Sequence, residues 1–317
     1  MKKKILIVGG ARFHGYELLI KLSSIYEVYV LNRGNYRTEY PLSIKHLKAD
    51  RNSLEDLVNV TKTLQFDIII DNNAYNKEQV SLLVKVLNKR FEQYIFISSA
   101  AIYKRLYTTD ALTETAIVGS DDNYSPNIIE YATNKLECEK FIQREIKNYT
   151  ILRFPNIFGE KDFAHKISYF LYRFNTLNRV LFEKEIDKFS LIYVHDAVNA
   201  IISCIFQKQF YNEVFNVSDP RAFSLDDFFL PVEDIYKKKK FFKPATLLWQ
   251  KGYIPSFGWG PLLNMDKFLQ ACDSFQFTPF EIWIDKSFQS EMAYLNEHQN
   301  VEKVNSYEEE VSNELNC

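Results

Sequence analysis

Tyr131 and Lys135 stand four residues apart in a segment whose apolar spacing predicts a long helix over Asn127 to Glu145. On such a helix they share one face, a turn apart. An ammonium beside a phenol favours the phenolate and lowers a pKa that is ordinarily about 10, which lets a tyrosine trade protons near neutral pH. An ordinary helix face gives the same spacing in a chain with 20 tyrosines, so the pair takes its meaning from its surroundings. A second group offers different chemistry. KILIVGGARFHG, from Lys4 to Gly15, is an apolar β-branched run, then Gly9 and Gly10, then the helical pattern of Phe13, Tyr16, Leu18, Leu19 and Leu22. A strand, a glycine turn and a helix N-terminus present free backbone N–H groups and a positive dipole end to an anion such as a pyrophosphate. Gly9 and Gly15 fit the dinucleotide spacing; Arg12 replaces the middle glycine.

These groups need a scaffold, and the pattern supplies one. A second strand is expected over Glu27 to Leu31, closed by Asn32, Arg33 and Gly34. In a dinucleotide-binding fold a carboxylate at this place takes a ribose 2′-hydroxyl, whereas an arginine suits a 2′-phosphate. Asn32 and Arg33 hold it here, with Arg12 near and Arg37 further on, which favours NADP(H) over NAD(H). Further strands are expected at Ile44 to Leu47, leading to Asp50; at Phe66 to Ile70, leading to Asn73 and Ala74; and at Tyr94 to Ile97, ending in Ser98 and Ser99. Helices lie between them, one capped near Ser53 and one over Val80 to Val86. The alternation specifies βαβ crossovers and a parallel sheet covered on both faces, with ligands beyond the carboxyl ends of the strands. The glycine turn, Asn32, Arg33, Asp50, Asn73 and Ser99 all fall at those ends.

The bulk properties exclude other classes. The 317 residues are 46% apolar and 25% charged with a net charge of −2, which gives no electrostatic reason for a nucleic-acid or anionic membrane partner. No run approaches the roughly 18 apolar residues of a membrane span, and the one after MKKK stops at Gly9, short of a signal peptide. Cys138, Cys204, Cys272 and Cys317 are far apart without metal-type spacing, so free thiols in a reducing cytoplasm and no metal are expected.

The order of glycine turn, then Ser98-Ser99-Ala100-Ala101-Ile102-Tyr103, then Tyr131-x-x-x-Lys135 resembles the extended short-chain dehydrogenase/reductase superfamily. More narrowly it is similar to the NAD-dependent epimerase/dehydratase family, with GGARFHG and LNRG closest to an atypical branch that includes RNA-associated members. The likeness continues through Leu152 to Gly159, Tyr193 to Ala197, Phe215 to Val217, and Asp266-Lys267 ahead of Phe277-Thr278-Pro279. It implies an α/β protein: a Rossmann-type doubly wound parallel sheet with a smaller C-terminal substrate-binding lobe. Residues 1–159 would be the dinucleotide-binding domain, with 189–218 returning to the sheet, 160–290 mostly the lobe, and 291–317 an acidic tail around Glu308 to Glu310.

Carried over by residue, the resemblance gives Ser99 a hydrogen bond to the substrate oxygen, Tyr131 the general acid/base role on that oxygen, and Lys135 a hold on the nicotinamide ribose. Gly9, Gly10, Arg12, Phe13, Gly15, Asn32 and Arg33 would hold the adenosine diphosphate half. Asp50 would sit near the adenine, and Asn73, Ala74, Phe154 and Asn156 along the cofactor or the substrate. Ala100 and Ala101 stand where the 4,6-dehydratases carry an Asp-Glu pair, which argues against sugar-nucleotide dehydration. After Arg179 only Arg221 remains, and Phe189 occupies a place where the family has an arginine, which argues against a clamped nucleotide diphosphate; Lys188 or Lys237 to Lys240 are the compensating cations.

Aromatics are dense at Phe163, Tyr169, Phe170, Tyr172 and Phe174, and again at Phe241, Phe242, Trp249, Tyr253, Phe257 and Trp259. They make either a partly apolar pocket or a compact core. His165 is either a second acid/base or a surface residue. The expectation is an NAD(P)-dependent oxidoreductase or epimerase acting on a secondary alcohol or ketone of a small sugar-like or polar metabolite, and a homodimer by resemblance. The alternatives are a sugar-nucleotide epimerase and a non-catalytic nucleotide- or RNA-binding protein on the same fold.

Overall fold

The computed structural model describes residues 2–36, 39–88, 90–104, 110–119, 126–168, 171, 180–182, 188–224, 227–228, 242–244 and 261–297. The strands are β1 (Lys4–Val8), β2 (Glu27–Asn32), β3 (Ile44–Lys48), β4 (Ile68–Asp71), β5 (Gln93–Ser99), β6 (Tyr149–Phe154), β7 (Asn156–Phe158), β8 (Val180–Phe182), β9 (Leu191–Tyr193), β10 (Glu213–Asn216) and β11 (Phe242–Pro244). Seven form one sheet in the order β3-β2-β1-β4-β5-β6-β10, every pairing parallel. Two parallel pairs, β7 with β9 and β8 with β11, stand apart from it.

The helices are α1 (Phe13–Ser23), α2 (Leu54–Thr61), α3 (Lys77–Leu87), α4 (Pro126–Glu145), α5 (Val194–Ser203), α6 (Asp266–Ala271) and α7 (Phe280–Glu297). β1 explains why its sequence lacks polar alternation: Ile5 and Ile7 pack toward α1 and α5, Leu6 and Val8 toward α2, α3 and α4. Both faces are covered, so this is a doubly wound Rossmann-type sheet. Ser53 caps α2 by accepting from the Asp56 N–H, Asn76 caps α3 by accepting from that of Gln79, and α3 ends on left-handed Asn88. Strand order reverses between β1 and β4, which brings the glycine turn after β1 beside Asn72 and Asn73 after β4.

Around this sheet the later segments divide their work. β10 returns to it, and Met265 and Phe268 at α6 join the same core cluster. Phe158, Phe189, Phe223, Phe280, Trp283 and Phe288 form a second, aromatic cluster, reached by Phe13 from α1. The described aromatics therefore make mainly a compact core, and Phe189 is buried against Phe223 rather than facing a ligand. α7 runs through the boundary expected at residue 290, because Glu291 is buried and accepts from Ser168 and bonds His165. Arg37, Tyr169, Phe170, Tyr172, Phe174, Arg179, Lys237 to Lys240, Phe241, Trp249, Tyr253, Phe257, Trp259 and the acidic residues Glu308 to Glu310 lie outside the described residues. Among the described residues no helix is long and apolar enough to cross a membrane.

One buried network fixes α4 to the sheet. Arg153 of β6 donates to Glu139 of α4 through Nη2 (2.7 Å) and Nε (3.1 Å), and Ser98 of β5 donates to the same carboxylate at 2.5 Å. Arg153 also donates to the Tyr103 hydroxyl (2.9 Å), which donates to Asn216 of β10 (2.6 Å). Burial alone would pull the guanidinium pKa down, yet the Glu139 bonds raise it. Removing one partner of a buried pair strands the other charge. Glu139→Ala is accordingly expected to lower unfolding free energy by about 3–5 kcal/mol in urea titrations; a loss below about 1 kcal/mol would show that the pair does not anchor the helix.

Candidate active site

The glycine turn has the backbone its composition demands. Gly9 and Gly10 adopt φ of +98° and +79°, where side chains are strained. A Cβ on Gly9 would lie 3.0 Å from Asn73 Cγ, and one on Gly15 would lie 2.6 Å from Gly10 Cα and 2.7 Å from Asn72 Nδ2. Arg12, at the position of the missing glycine, has φ −149°, extended backbone open to any residue. Its guanidinium stacks between the rings of Tyr36 (3.9 Å) and Phe163 (4.0 Å), so it roofs the rim of the crevice without filling it.

Below that roof two cavities meet end to end. One, of about 420 Å³, runs along the glycine turn past Asn32, Arg33 and Asp50. The other, of about 350 Å³, holds Ser99, Tyr131, Lys135, Phe154 and Asn156 at the ends of β5 and β6. His14, Asn72, Asn73, Tyr75 and Phe163 line both. Most of the expected residues thus converge on one groove.

Asp71, at the end of β4, organises the join. Arg51 grips it in a bidentate pair, 2.8 Å on each bond, and donates a third bond to Asn73 Oδ1 at 2.8 Å. Burial would raise the Asp71 pKa, but the Arg51 charge and bonds hold it below the usual carboxylate range. Asp71 Oδ1 also accepts the Ala74 N–H at 3.1 Å, so Ala74 supports the loop and lines neither cavity.

Several expectations need correction. Asn32 is not free for a ribose: its Oδ1 accepts from the Gly34 N–H (2.9 Å) and meets His46 Nε2 (3.0 Å), while Nδ2 donates to Tyr40 (3.0 Å). Phe13 carries a left-handed φ of +51°, and its ring is buried in the second core, with one side on the cavity of Ser99 and Tyr131. His165 stacks on Tyr294 and pairs with Glu291, away from both cavities. Arg221 is engaged with Glu281.

The tyrosine–lysine electrostatics differ most. Lys135 Nζ donates to the Ile97 carbonyl at 2.8 Å, lies over the Phe96 ring at 4.8 Å and sits 5.9 Å from the Tyr131 ring centre. Burial lowers the Lys135 pKa. Burial also raises that of Tyr131, with the Ser99 hydroxyl pulling against it. Desolvation of the phenolate thus outweighs the Ser99 hydrogen bond, and the phenol stays neutral near neutral pH. His14, Tyr75, Arg51 and Lys166 were missed; a histidine directly before Gly15 in an otherwise apolar helix start was the available signal.

A model of the NAD dependent epimerase/dehydratase family matches residues 5–218. The chain belongs to that family. Its fold is similar to UDP-glucose 4-epimerase of Thermotoga maritima solved with UDP-glucose, 18% identical with TM-score 0.73 over 92% of this chain and 99% of that one. It is also similar to UDP-glucuronic acid 4-epimerase of Bacillus cereus in complex with UDP-glucuronic acid and NAD, 16% identical, TM-score 0.71, over 92% and 99%. A third is dTDP-glucose 4,6-dehydratase of Bacillus anthracis in complex with NAD, 14% identical, TM-score 0.71, over 91% and 96%. No curated protein sequence matches the chain.

Because the Ser99 hydroxyl supports the phenolate, Ser99→Ala is expected to raise the Tyr131 pKa further. Carbon-13 labelling of the tyrosine Cζ, with Tyr131→Phe to assign the resonance among 20 tyrosines, reads this directly; an unchanged or lower titration midpoint would refute the contact.

Proposed function

We propose that the chain is an NAD(P)-dependent oxidoreductase or epimerase that acts on a secondary alcohol, or its ketone, in a sugar-like metabolite. The observation that carries this reading is the shared cavity of Ser99, Tyr131 and Lys135, continuous with a groove whose glycine positions leave no room for a Cβ. That close backbone, together with the N-terminal end of α1, fits a dinucleotide diphosphate. A nicotinamide bound there supplies hydride transfer.

The chain's own residues handle the proton and the oxygen. In the reducing direction the neutral Tyr131 phenol gives its proton to the carbonyl oxygen as that oxygen gains charge; in the oxidising direction the phenolate takes it back. Ser99 hydrogen-bonds the same oxygen and supports the phenolate. Lys135, buried and fixed by the Ile97 carbonyl, holds positive charge at the cavity wall and orients the cofactor ribose. Ala100 and Ala101 put methyl groups where the 4,6-dehydratases carry their Asp-Glu pair, and Asp162, the carboxylate on this cavity's wall among the described residues, is paired with Lys166, which favours epimerisation or net redox over dehydration.

The cofactor reading favours the 2′-phosphate form. Arg33 is exposed on the groove, and the neighbouring Asn32 presents no carboxylate to a 2′-hydroxyl. For the substrate, Lys135 and Lys166 are the cations of the reaction cavity among the described residues, and no arginine lines it. That favours a substrate held by its hydroxyls over one gripped by a diphosphate clamp.

Tyr131→Phe is expected to keep dinucleotide affinity, measured by fluorescence of the reduced nucleotide, while turnover of a panel of sugar alcohols, ketoses and UDP-sugars falls about 10²–10⁴-fold. Retained turnover would overturn the assignment. Arg33→Ala should weaken NADPH about tenfold and leave NADH unchanged; equal losses for both would remove the NADP preference.

A further inference from the structure

His14 occupies the second position of α1, immediately before Gly15, where the crevice between β1 and β4 opens. It lines both cavities, as does Asn72. Both ring nitrogens of His14 and the Oδ1 of Asn72 are buried, and apart from the approach of these two side chains to each other none has a hydrogen-bond partner among the described residues. Buried polar atoms in a folded protein are nearly always paired, so two polar side chains left with only each other at one point mark a place for a ligand. Their position narrows the ligand. They sit where the two cavities join, beside the N–H groups of the α1 turn, so the middle of an elongated ligand reaches them.

We propose that His14 and Asn72 are side-chain ligands for the diphosphate–ribose stretch of the dinucleotide, and that His14 takes up a proton from solvent as this anion binds. The inference rests on the dinucleotide reading above and adds to the backbone anion site an ionisable group. Before binding, burial keeps the imidazole neutral, with a pKa pushed down to about 4. The Asn72 amide and Asp162 oppose that shift, and Lys166 and Lys135 reinforce it. These charged groups come from α4 (Lys135) and from the segment after β7 (Asp162 and Lys166). A diphosphate placed against the ring favours the imidazolium and reverses the balance. Since binding then raises the folded-state pKa of His14, affinity must rise as pH falls through the bound value, by the ordinary linkage sign.

Calorimetric titration of the full chain with NADP⁺ and NAD⁺, from pH 5.5 to 7.5 in buffers of different ionisation heat, tests this. Wild type is expected to take up a fraction of a proton and to bind several-fold tighter at pH 5.5 than at pH 7.5. His14→Leu should bind about tenfold more weakly at pH 5.5, with no proton uptake. His14→Gln keeps a neutral donor of similar reach; it should hold the pH 7.5 affinity and lose the pH slope. Both lysines and Asp162 remain in every variant, so a slope that persists in His14→Gln belongs to them and overturns the assignment. Wild-type binding without buffer-dependent heat, matched by His14→Leu, overturns this inference and leaves the dinucleotide reading standing. Failure of wild type to bind either nucleotide removes both.

Discussion

The arrangement depends on one helix being held in register against one strand. Three successive turns of α4 present Tyr131, Lys135 and Glu139 to the carboxyl half of β5, whose Ser99, Ile97 carbonyl and Ser98 receive them in the same order. The deepest of the three contacts is ionic, completed by Arg153 from the next strand. A buried carboxylate between a hydroxyl and a guanidinium tolerates little displacement, since any slip leaves a charge unpaired in a low dielectric. The two upper contacts inherit this precision. The proton exchange proposed for Tyr131 requires its phenol within hydrogen-bond reach of a substrate oxygen, and a rigid helix anchored one turn below Lys135 keeps the phenol in a fixed position.

A second charged pair does for the cavity along the glycine turn what the first does for the cavity of Ser99, Tyr131 and Lys135. Asp71 and Arg51 lie at the reversal point of the strand order and fix the loop that carries Asn72 and Asn73. That loop presses against Gly9 and Gly15 so closely that no side chain fits at either. Gly9 therefore answers to two demands at once, the backbone turn and the neighbour's approach, and Gly15 to close approach alone. Arg12, whose backbone is extended and whose side chain points outward, answers to neither.

Much of this was legible in the residues. The strands and helices of the first 150 residues fell close to their expected places because runs such as Ile5 to Val8 carry their burial in their composition, and a cap such as Ser53 marks where a helix begins. The gathering of Ser99, Tyr131 and Lys135 followed from the strand-end rule and the order of motifs. What could not be read was set by tertiary surroundings. Spacing alone gives Lys135 a tyrosine neighbour, but only the fold shows it turned to the Ile97 carbonyl. Asn32 looks available in sequence because Tyr40, His46 and Gly34, which occupy it, meet it through a loop and a neighbouring strand. The aromatic residues around Phe189 and Phe223 carry no mark in sequence that separates a core from a pocket.

The stacking of Arg12 between Tyr36 and Phe163 has a mechanical consequence. It ties a loop of the main sheet to the segment that follows β7, making a latch across the mouth of the crevice. Exposed contacts of this kind contribute about 0.5–1 kcal/mol each, enough to bias the latch shut and too little to lock it. Thermal motion alone can part the two faces, so the tie across the crevice is a weak one, which removing either ring would loosen further.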